Sequence, residues 1–134
     1  MAKKFNFRGK TSEELAAMTI DQFSALLTSR ARRAVKRAAM DFSTYRGLLE
    51  KVKKLKKEGK AGKVIKTRTR NAVILPDWVG LKFGIYNGKE YNNIIITDEM
   101  IGRRLGEMAH STDRVLHSGP GVGATRGSKF IPLK

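Results

Sequence analysis

The chain contains no cysteine, only three prolines and few aromatic residues. The lack of cysteine excludes disulfides, thiolate metal sites and cysteine nucleophiles. No apolar run approaches the roughly 20 residues that a membrane-spanning helix needs, and the N-terminus lacks the apolar region of a signal peptide. The cationic segments also have too few large apolar residues for a strong amphipathic lipid anchor. We therefore expect an intracellular protein without a membrane partner.

The charge is strongly positive and unevenly distributed over the 134 residues, a length typical of one domain. The 28 Lys and Arg exceed the 12 Asp and Glu, which gives a formal net charge of +16 at pH 7. Residues 30–70 carry sixteen basic and three acidic residues, whereas residues 71–101 carry two basic and four acidic residues. A cationic arm beside a slightly acidic apolar segment predicts a polyanionic partner such as nucleic acid.

Short helices are predicted in the N-terminal third of the chain. Thr11 and Glu14 have the spacing of a capping box, and Thr19 and Gln22 repeat it eight residues later. Apolar residues follow at helical spacing, which predicts short amphipathic helices.

The next predicted helix begins at Ser29 and is strongly cationic. Arg30, Arg33 and Arg37 fall on one side of it, at i, i+3 and i+7, and small apolar residues form another face. Such a helix can pack by its apolar face and lie on a phosphate surface by its basic side. We predict that these three arginines contact nucleic acid.

A second basic helix is predicted between Ser43, as its N-cap, and Gly59. Its apolar stripe includes Leu48 and Val52, and its lysines point elsewhere. A lysine run of this kind is typical of a solvated helix face, and that interpretation stays open beside nucleic-acid contact. The candidate residues, with one from the following basic linker, are Lys53, Lys54, Lys56, Lys57 and Lys63.

A small sheet is predicted over residues 72–96. The apolar run 72–75, stopped by Pro76, indicates a strand leading into a turn, and the alternation over 81–85 indicates a half-buried strand. Asn87-Gly88 then predicts a hairpin.

The hairpin register depends on the length of its loop. A two-residue loop would set Phe83 opposite Asn92, whereas a four-residue loop sets Phe83 opposite Ile94 and Leu81 opposite Ile96. The second alternative buries more apolar surface, and we prefer it.

A further helix is predicted from its cap at Thr97 to Gly106, with acidic residues in its first turn and Arg103 and Arg104 later. Beyond residue 108 the periodicity disappears, so residues 109–134 predict an extended tail.

These patterns predict an α+β fold with a small antiparallel or mixed sheet, a hairpin and one packed helix. We predict three parts: a helical basic N-terminal extension (1–65), a compact RNA-binding platform (66–108) and an extended glycine-rich basic tail (109–134). The platform is expected to carry the core, and the extensions most of the basic charge.

Patterns for catalysis or ligand binding are weak. Residues 119–123 superficially resemble a nucleotide-binding loop, but the Gly-Lys-Ser/Thr order and the following helix are missing. His110, Asp113 and His117 make a poor metal site without cysteine. Since no nucleophile and base can be paired, we predict no enzyme activity, cofactor, metal or small-molecule substrate.

The aromatic residues allow two interpretations. Tyr45, Trp78, Tyr86 and Tyr91 could stack on bases. However, only 7% of the chain is aromatic, and no paired-aromatic RNA-binding signature appears. We therefore prefer core packing for Trp78.

Several short motifs occur in a characteristic order. They are FRGKT at 7–11, ILP at 74–76, VGL at 79–81, NGK at 87–89, TDEMIG at 97–102, LGE at 105–107, PGVGATR at 120–126 and SKFIPLK at 128–134. Together they closely resemble the ribosomal protein S-nineteen family of the small subunit. The C-terminal motifs resemble its archaeal and eukaryotic branch, whose eukaryotic member is called fifteen-e.

The resemblance implies a structural protein of the cytoplasmic ribosome, bound to rRNA in the head of the small subunit. It implies ribosomal protein thirteen of the small subunit as a neighbour, a bridge to a large-subunit protein, and a tail near tRNA and mRNA at the decoding centre. Arg68 of the basic arm joins the RNA contacts that matching positions imply, which are Lys66, Arg70, Arg103, Arg104, Arg114, Arg126 and Lys129.

The sequence departs from the family pattern at two places. Asn92-Asn93 replaces the usual aliphatic-proline pair of the second hairpin strand, and Thr112-Asp113 replaces basic residues. A carboxylate at Asp113 would repel phosphate. From charge alone the alternative is a basic architectural DNA-binding protein, because phosphate attraction does not distinguish the two polymers; the sequence has no helix-turn-helix or zinc module.

Overall fold

The computed structural model describes residues 5–40, 44–59 and 62–112. Within these ranges the helices are α1 (Ser12–Ala17), α2 (Ile20–Leu26), α3 (Ser29–Met40) and α4 (Thr44–Lys57). The strands are β1 (Asn6–Phe7), β2 (Lys10–Thr11), β3 (Ile65–Thr67), β4 (Lys82–Tyr86) and β5 (Tyr91–Ile95). Short 3-10 turns occur at Pro76–Trp78, Asp98–Met100 and Leu105–Met108. This content confirms the predicted α+β class.

An N-terminal hairpin, which was not predicted from the sequence, precedes the helices. Strands β1 and β2 pair antiparallel. Their connection is Arg8-Gly9, with positive φ angles of 50° and 81°. Two positive φ angles are typical of a tight hairpin turn, which here lacks the usual Asn-Gly signal.

The predicted helix starts are largely confirmed. The Thr11 hydroxyl accepts from the Glu14 N–H at 3.4 Å, and Thr19 and Gln22 form a reciprocal capping box. Helix α3 begins at Ser29 as predicted and buries its alanine and valine face. Gly59, with φ of 67°, follows the end of α4, whereas its predicted N-cap lies outside the described residues.

The three-stranded sheet has the order β3-β4-β5. Strand β3 runs parallel to β4, and β4 runs antiparallel to β5, so the sheet is mixed. Phe83 lies opposite Ile94, and the Ile96 N–H donates to the Leu81 carbonyl at 3.0 Å. The preferred four-residue loop is therefore confirmed.

The predicted helix from Thr97 to Gly106 is wrong. Two separate 3-10 turns occupy this segment. Between them the chain extends beside residues 72–74: the Gly102 N–H donates to the Ile74 carbonyl, and the Leu105 N–H donates to the Ala72 carbonyl, both at 3.0 Å. These long-range bonds use the donors that a helix would direct four residues back.

The segment 72–75, which was predicted to be a strand, does not form a regular strand. Its ladder contact is a single antiparallel bridge between Val73 and Arg104. The four residues are fully buried or nearly so, which agrees with their apolar character.

One hydrophobic cluster contains side chains from all four helices, from β3 and β4, and from the segments that flank the sheet. The Trp78 ring stacks on Phe83 with ring centroids 5.1 Å apart and meets the edge of Tyr45 at 6.4 Å. This confirms Trp78 as a core residue and places Tyr45 there too. The proposed three-part division of the chain stays a prediction.

Candidate nucleic-acid interface

Three of the predicted RNA-contacting arginines meet in one cleft. Arg30 and Arg37 reach it from α3, and Arg104 reaches it from the segment bridged to Val73. The cleft has a volume of about 390 Å³, and Thr44 and Asn71 also line it. Among the described residues that line it, none carries a carboxylate, which makes it a suitable site for phosphate. We call it the arginine cleft.

Local geometry positions the two arginines of α3. Seven residues separate Arg30 from Arg37, which is close to two helical turns and puts both on one side. The Arg37 guanidinium donates to the Arg33 carbonyl at 3.2 Å, and the Arg33 guanidinium donates to the Ser29 carbonyl at 3.4 Å. The side chains therefore lie back along the helix surface and keep further donors available for a ligand.

Two salt bridges of the described residues lie outside the arginine cleft. Lys10 pairs with Glu14 at 3.5 Å, and Arg46 pairs with Glu50 at 3.0 Å. Neither pair includes an arginine of the cleft.

The lysines of α4 are exposed, and so is Lys63 after it. Lys53 also lines a groove with Asp21 and Glu50, whose carboxylates weaken the local positive potential. These positions fit both a solvated helix face and a phosphate-binding surface, so contact through these lysines stays a prediction.

Arg70 is engaged inside the protein. Its guanidinium donates to the carbonyls of Tyr86 at 2.7 Å, Gly106 at 2.9 Å and Ala109 at 2.5 Å. These bonds tie the end of β4 to the last 3-10 turn. Contact between Arg70 and RNA stays a prediction. The guanidinium donors that such a contact would use already bond to backbone carbonyls of the protein.

The remaining predicted cations are scattered. Arg103 is exposed beside a groove that Phe7 and Glu99 help to line, away from the arginine cleft. Three predicted contacts of the tail lie outside the described residues: Arg114, Arg126 and Lys129.

Asp113 and His117, which were considered as metal ligands with His110, also lie outside the described residues. Among the residues that the structure does describe, no group of three or more His, Asp or Glu could hold a metal ion. None of the helices in those ranges has the length and apolar character to cross a bilayer.

Lys66 and Arg68 belong to a second surface, on the side of the sheet away from the core. Lys66 lies opposite Gly84, Gly84 opposite Asn93, and Tyr86 opposite Tyr91. We call this surface the outer sheet face and define it by Lys66, Arg68, Lys82, Gly84, Tyr86, Tyr91, Asn93 and Ile95.

Cations and aromatic rings contact each other on the outer sheet face. The Tyr86 and Tyr91 ring centroids are 5.1 Å apart. The Lys66 Nζ lies 5.6 Å from the Tyr91 centroid, and the Arg68 guanidinium lies 5.2 Å from the Tyr86 centroid. Arg68 also donates to the Tyr91 hydroxyl at 3.4 Å, which raises the pKa of Arg68.

Neither tyrosine was among the predicted contacts, because the sequence has no paired-aromatic RNA-binding signature. The preferred register of the hairpin was the signal that could have found them, since it places these two residues opposite each other.

Known proteins are similar to this sequence along nearly its whole length. The family model described as "Ribosomal protein S19" matches residues 33–117. The small ribosomal subunit protein uS19 of Saccharolobus solfataricus is 50% identical over 132 residues, covering 98% of this chain and 93% of the relative. The protein of the same name from Metallosphaera sedula is 45% identical with the same coverage. That of Methanococcus maripaludis is 45% identical over 134 residues, covering 98% of this chain and 82% of the relative.

These matches define a protein of the small ribosomal subunit, a ribonucleoprotein component with a structural role in translation. The chain belongs to the ribosomal protein S19 family. The predicted resemblance is confirmed.

Proposed function

We propose that the chain binds rRNA in the head of the small subunit, with the arginine cleft as its principal phosphate site. The observation that carries this proposal is the meeting of Arg30, Arg37 and Arg104 in a cleft whose described lining residues include no carboxylate. A guanidinium offers several donors in a plane and can hold a phosphate by two parallel bonds. Three guanidinium groups around one cleft can surround a turn of folded RNA backbone, and the same groups on a flat protein surface could not.

The size of the electrostatic contribution is set by the basic arm. Sixteen of the 28 basic residues lie between residues 30 and 70. If roughly six to ten phosphates are neutralised, the logarithm of the association constant for RNA should fall with the logarithm of the salt concentration at a slope of about −5 to −9. A protein that merely touched the RNA would have a slope near zero.

A salt titration of the full chain with a head-domain rRNA fragment tests this proposal. The double variant Arg30→Gln/Arg37→Gln should make the slope shallower by about two and weaken binding. Lys36→Gln is the control for the loss of one charge, because Lys36 is exposed on the same helix but lines a groove with Asp21 and Glu50 instead of the cleft. A wild-type slope near −1, or a double variant that loses no more affinity per removed charge than the control, would contradict the proposal.

Duplex DNA tests the alternative function. An architectural DNA-binding protein would bind a DNA duplex of matched length as tightly as the rRNA fragment at the same salt concentration. The proposed function requires the chain to bind the rRNA fragment more tightly than the DNA duplex.

We further propose that the tail acts near tRNA and mRNA at the decoding centre, while the rest of the chain contacts ribosomal protein thirteen and a large-subunit bridge. Arg126 and Lys129 supply charge in the tail, and its glycines allow close backbone approach.

Truncation after His117 tests the role of the tail. The shortened protein should still enter small subunits, and those subunits should bind A-site tRNA more weakly or decode less accurately. Failure to incorporate would make the tail an assembly anchor. Normal incorporation with normal tRNA binding and accuracy would remove the proposed role.

A further inference from the structure

The outer sheet face combines three features that are suited to binding a nucleotide. Two tyrosine rings lie side by side on neighbouring strands. Lys66 and Arg68 border them within 5.6 Å of a ring centroid. The Asn93 amide lies on the same face, two residues along β5 from Tyr91. Aromatic surface, positive charge and an amide are the groups that bind a base, its phosphates and its polar edge.

The charge of this face suits a polyanion such as RNA, and its two tyrosine rings can stack on bases, which an acidic protein surface does not offer. Lys66, Arg68 and Lys82 are basic and exposed, and no residue of the outer sheet face is acidic. The nearest carboxylate along the hairpin, that of Glu90, belongs to the exposed turn. The arginine cleft is built from other elements, so the outer sheet face is a separate surface.

We propose that the outer sheet face binds an unpaired RNA nucleotide, with the base against Tyr86 and Tyr91 and the flanking phosphates on Lys66 and Arg68. This proposal rests on the rRNA-binding function proposed above and adds a nucleotide class and a contact mode to it. An unpaired base is required because the faces of a paired base are already covered by its neighbours in the duplex.

The cations that now cover the rings do not prevent this binding. Lys66 and Arg68 contact the tyrosines through exposed cation–π interactions, which are weaker than the stacking of a base on an aromatic ring. When a base enters, both cations can swing to the adjacent phosphates and keep a favourable partner. Asn93 then lies near the polar edge of the base, and its amide can both donate and accept.

Binding of the full chain to a single-stranded oligoadenylate and to an RNA duplex of equal length, at one salt concentration, tests the proposal. Tyr91→Leu should weaken binding to the oligoadenylate by roughly 5- to 100-fold, with its salt slope unchanged, and leave binding to the duplex unaltered. Tyr91→Phe is the matched control: it removes the hydroxyl that accepts from Arg68 but keeps the ring, and should bind like the wild type. Trp78 fluorescence during urea unfolding reports whether each variant folds.

Crosslinking of the unaltered chain gives an answer that does not depend on a variant. With head-domain rRNA carrying 4-thiouridine at unpaired positions, irradiation should join RNA to a peptide that contains Tyr86 or Tyr91. Absence of any such peptide among the crosslinked products would overturn the proposal.

Equal weakening on oligoadenylate and duplex would also overturn the proposal, because it would indicate lost charge or lost fold rather than lost stacking. Unchanged RNA binding with poor incorporation into subunits would assign this face to a protein neighbour instead. In both cases the slope change of Arg30→Gln/Arg37→Gln would stand, so the proposed function and this inference fail separately.

Discussion

The hydroxyl of Tyr45 donates to the backbone carbonyl of Val73 at 3.0 Å, and this buried bond joins α4 to the centre of the platform. Val73 and Arg104 face each other in an antiparallel bridge, and the hydrogen bonds of this bridge are made by the residues on either side of them. The carbonyl of Val73 therefore points away from the bridge. Tyr45 therefore supplies the donor that this buried carbonyl needs. The same side chain lines the arginine cleft, which links stability to the position of the cleft.

Removal of this donor should destabilise the fold. Tyr45→Phe leaves the Val73 carbonyl buried without a partner and should lower the free energy of unfolding by about 1–3 kcal/mol. Urea unfolding monitored by Trp78 fluorescence measures the change. Tyr91→Phe, which removes a hydroxyl from the sheet surface, is the control and should cost less than about 0.5 kcal/mol. Equal losses in the two variants would contradict the assigned role of Tyr45.

The same hydroxyl predicts a dependence of stability on alkaline pH. Burial raises the pKa of Tyr45 well above its ordinary value of 10.0. Because the pKa is higher in the folded state than in the unfolded state, the contribution is fully present below about pH 10 and is lost as the pH rises further. Wild type should lose more stability than Tyr45→Phe between neutral pH and about pH 11. Parallel losses in urea unfolding would show that other groups cause the effect.

Arg70 should be a determinant of stability, whatever its contact with RNA. Arg70→Met removes the donor from three carbonyls and should cost at least about 2 kcal/mol in unfolding free energy. Arg70→Lys should recover only part of this, because an ammonium cannot reproduce the planar fork. Arg68→Met, two residues away and exposed, should change stability by less than about 0.5 kcal/mol. Hydrogen exchange should also become faster at residues 106–109 in the Arg70 variants alone.

Two glycines allow a matched test of packing around the N-terminal hairpin. Gly80 and Gly102 have positive φ angles of 81° and 79°, so alanine is strained at both. A Cβ at Gly80 would meet nothing within 4 Å, whereas one at Gly102 would lie 2.9 Å from the Phe7 ring. Gly80→Ala should cost roughly 1–2 kcal/mol, and Gly102→Ala at least about 1 kcal/mol more.

Phe7 has little freedom to move away, since its ring lies against Phe23 with centroids 6.0 Å apart. Shortening it should therefore relieve the clash: Gly102→Ala should cost less in a Phe7→Leu background than alone. An unchanged cost in that background would mean that backbone strain explains the whole effect.

Features encoded locally were predictable from the sequence. Helix α3 begins where its charged and small residues start to alternate at helical spacing, and the hairpin register follows from the pairing of apolar residues across it. The segment from Thr97 to Gly106 has equally good local helix signals. It is not a helix because residues 72–74 compete for its backbone donors, and no local pattern reports that partner.

The candidate interface shows the same division. Charge identified Arg30, Arg37 and Arg104 one by one, yet only the packing of α3 against the platform brings them into one cleft. Arg70 resembles its exposed neighbours in sequence, and only the positions of distant carbonyls give it an internal role.

The bonds from Arg70 to the carbonyls of Gly106 and Ala109 also have a consequence during synthesis. They span 36 and 39 residues, and Leu105 and Ala109 are both core residues. While a translating ribosome still holds residue 109 inside its exit tunnel, the nascent chain cannot complete this core. Its cationic helices then emerge before the platform can hold them in place.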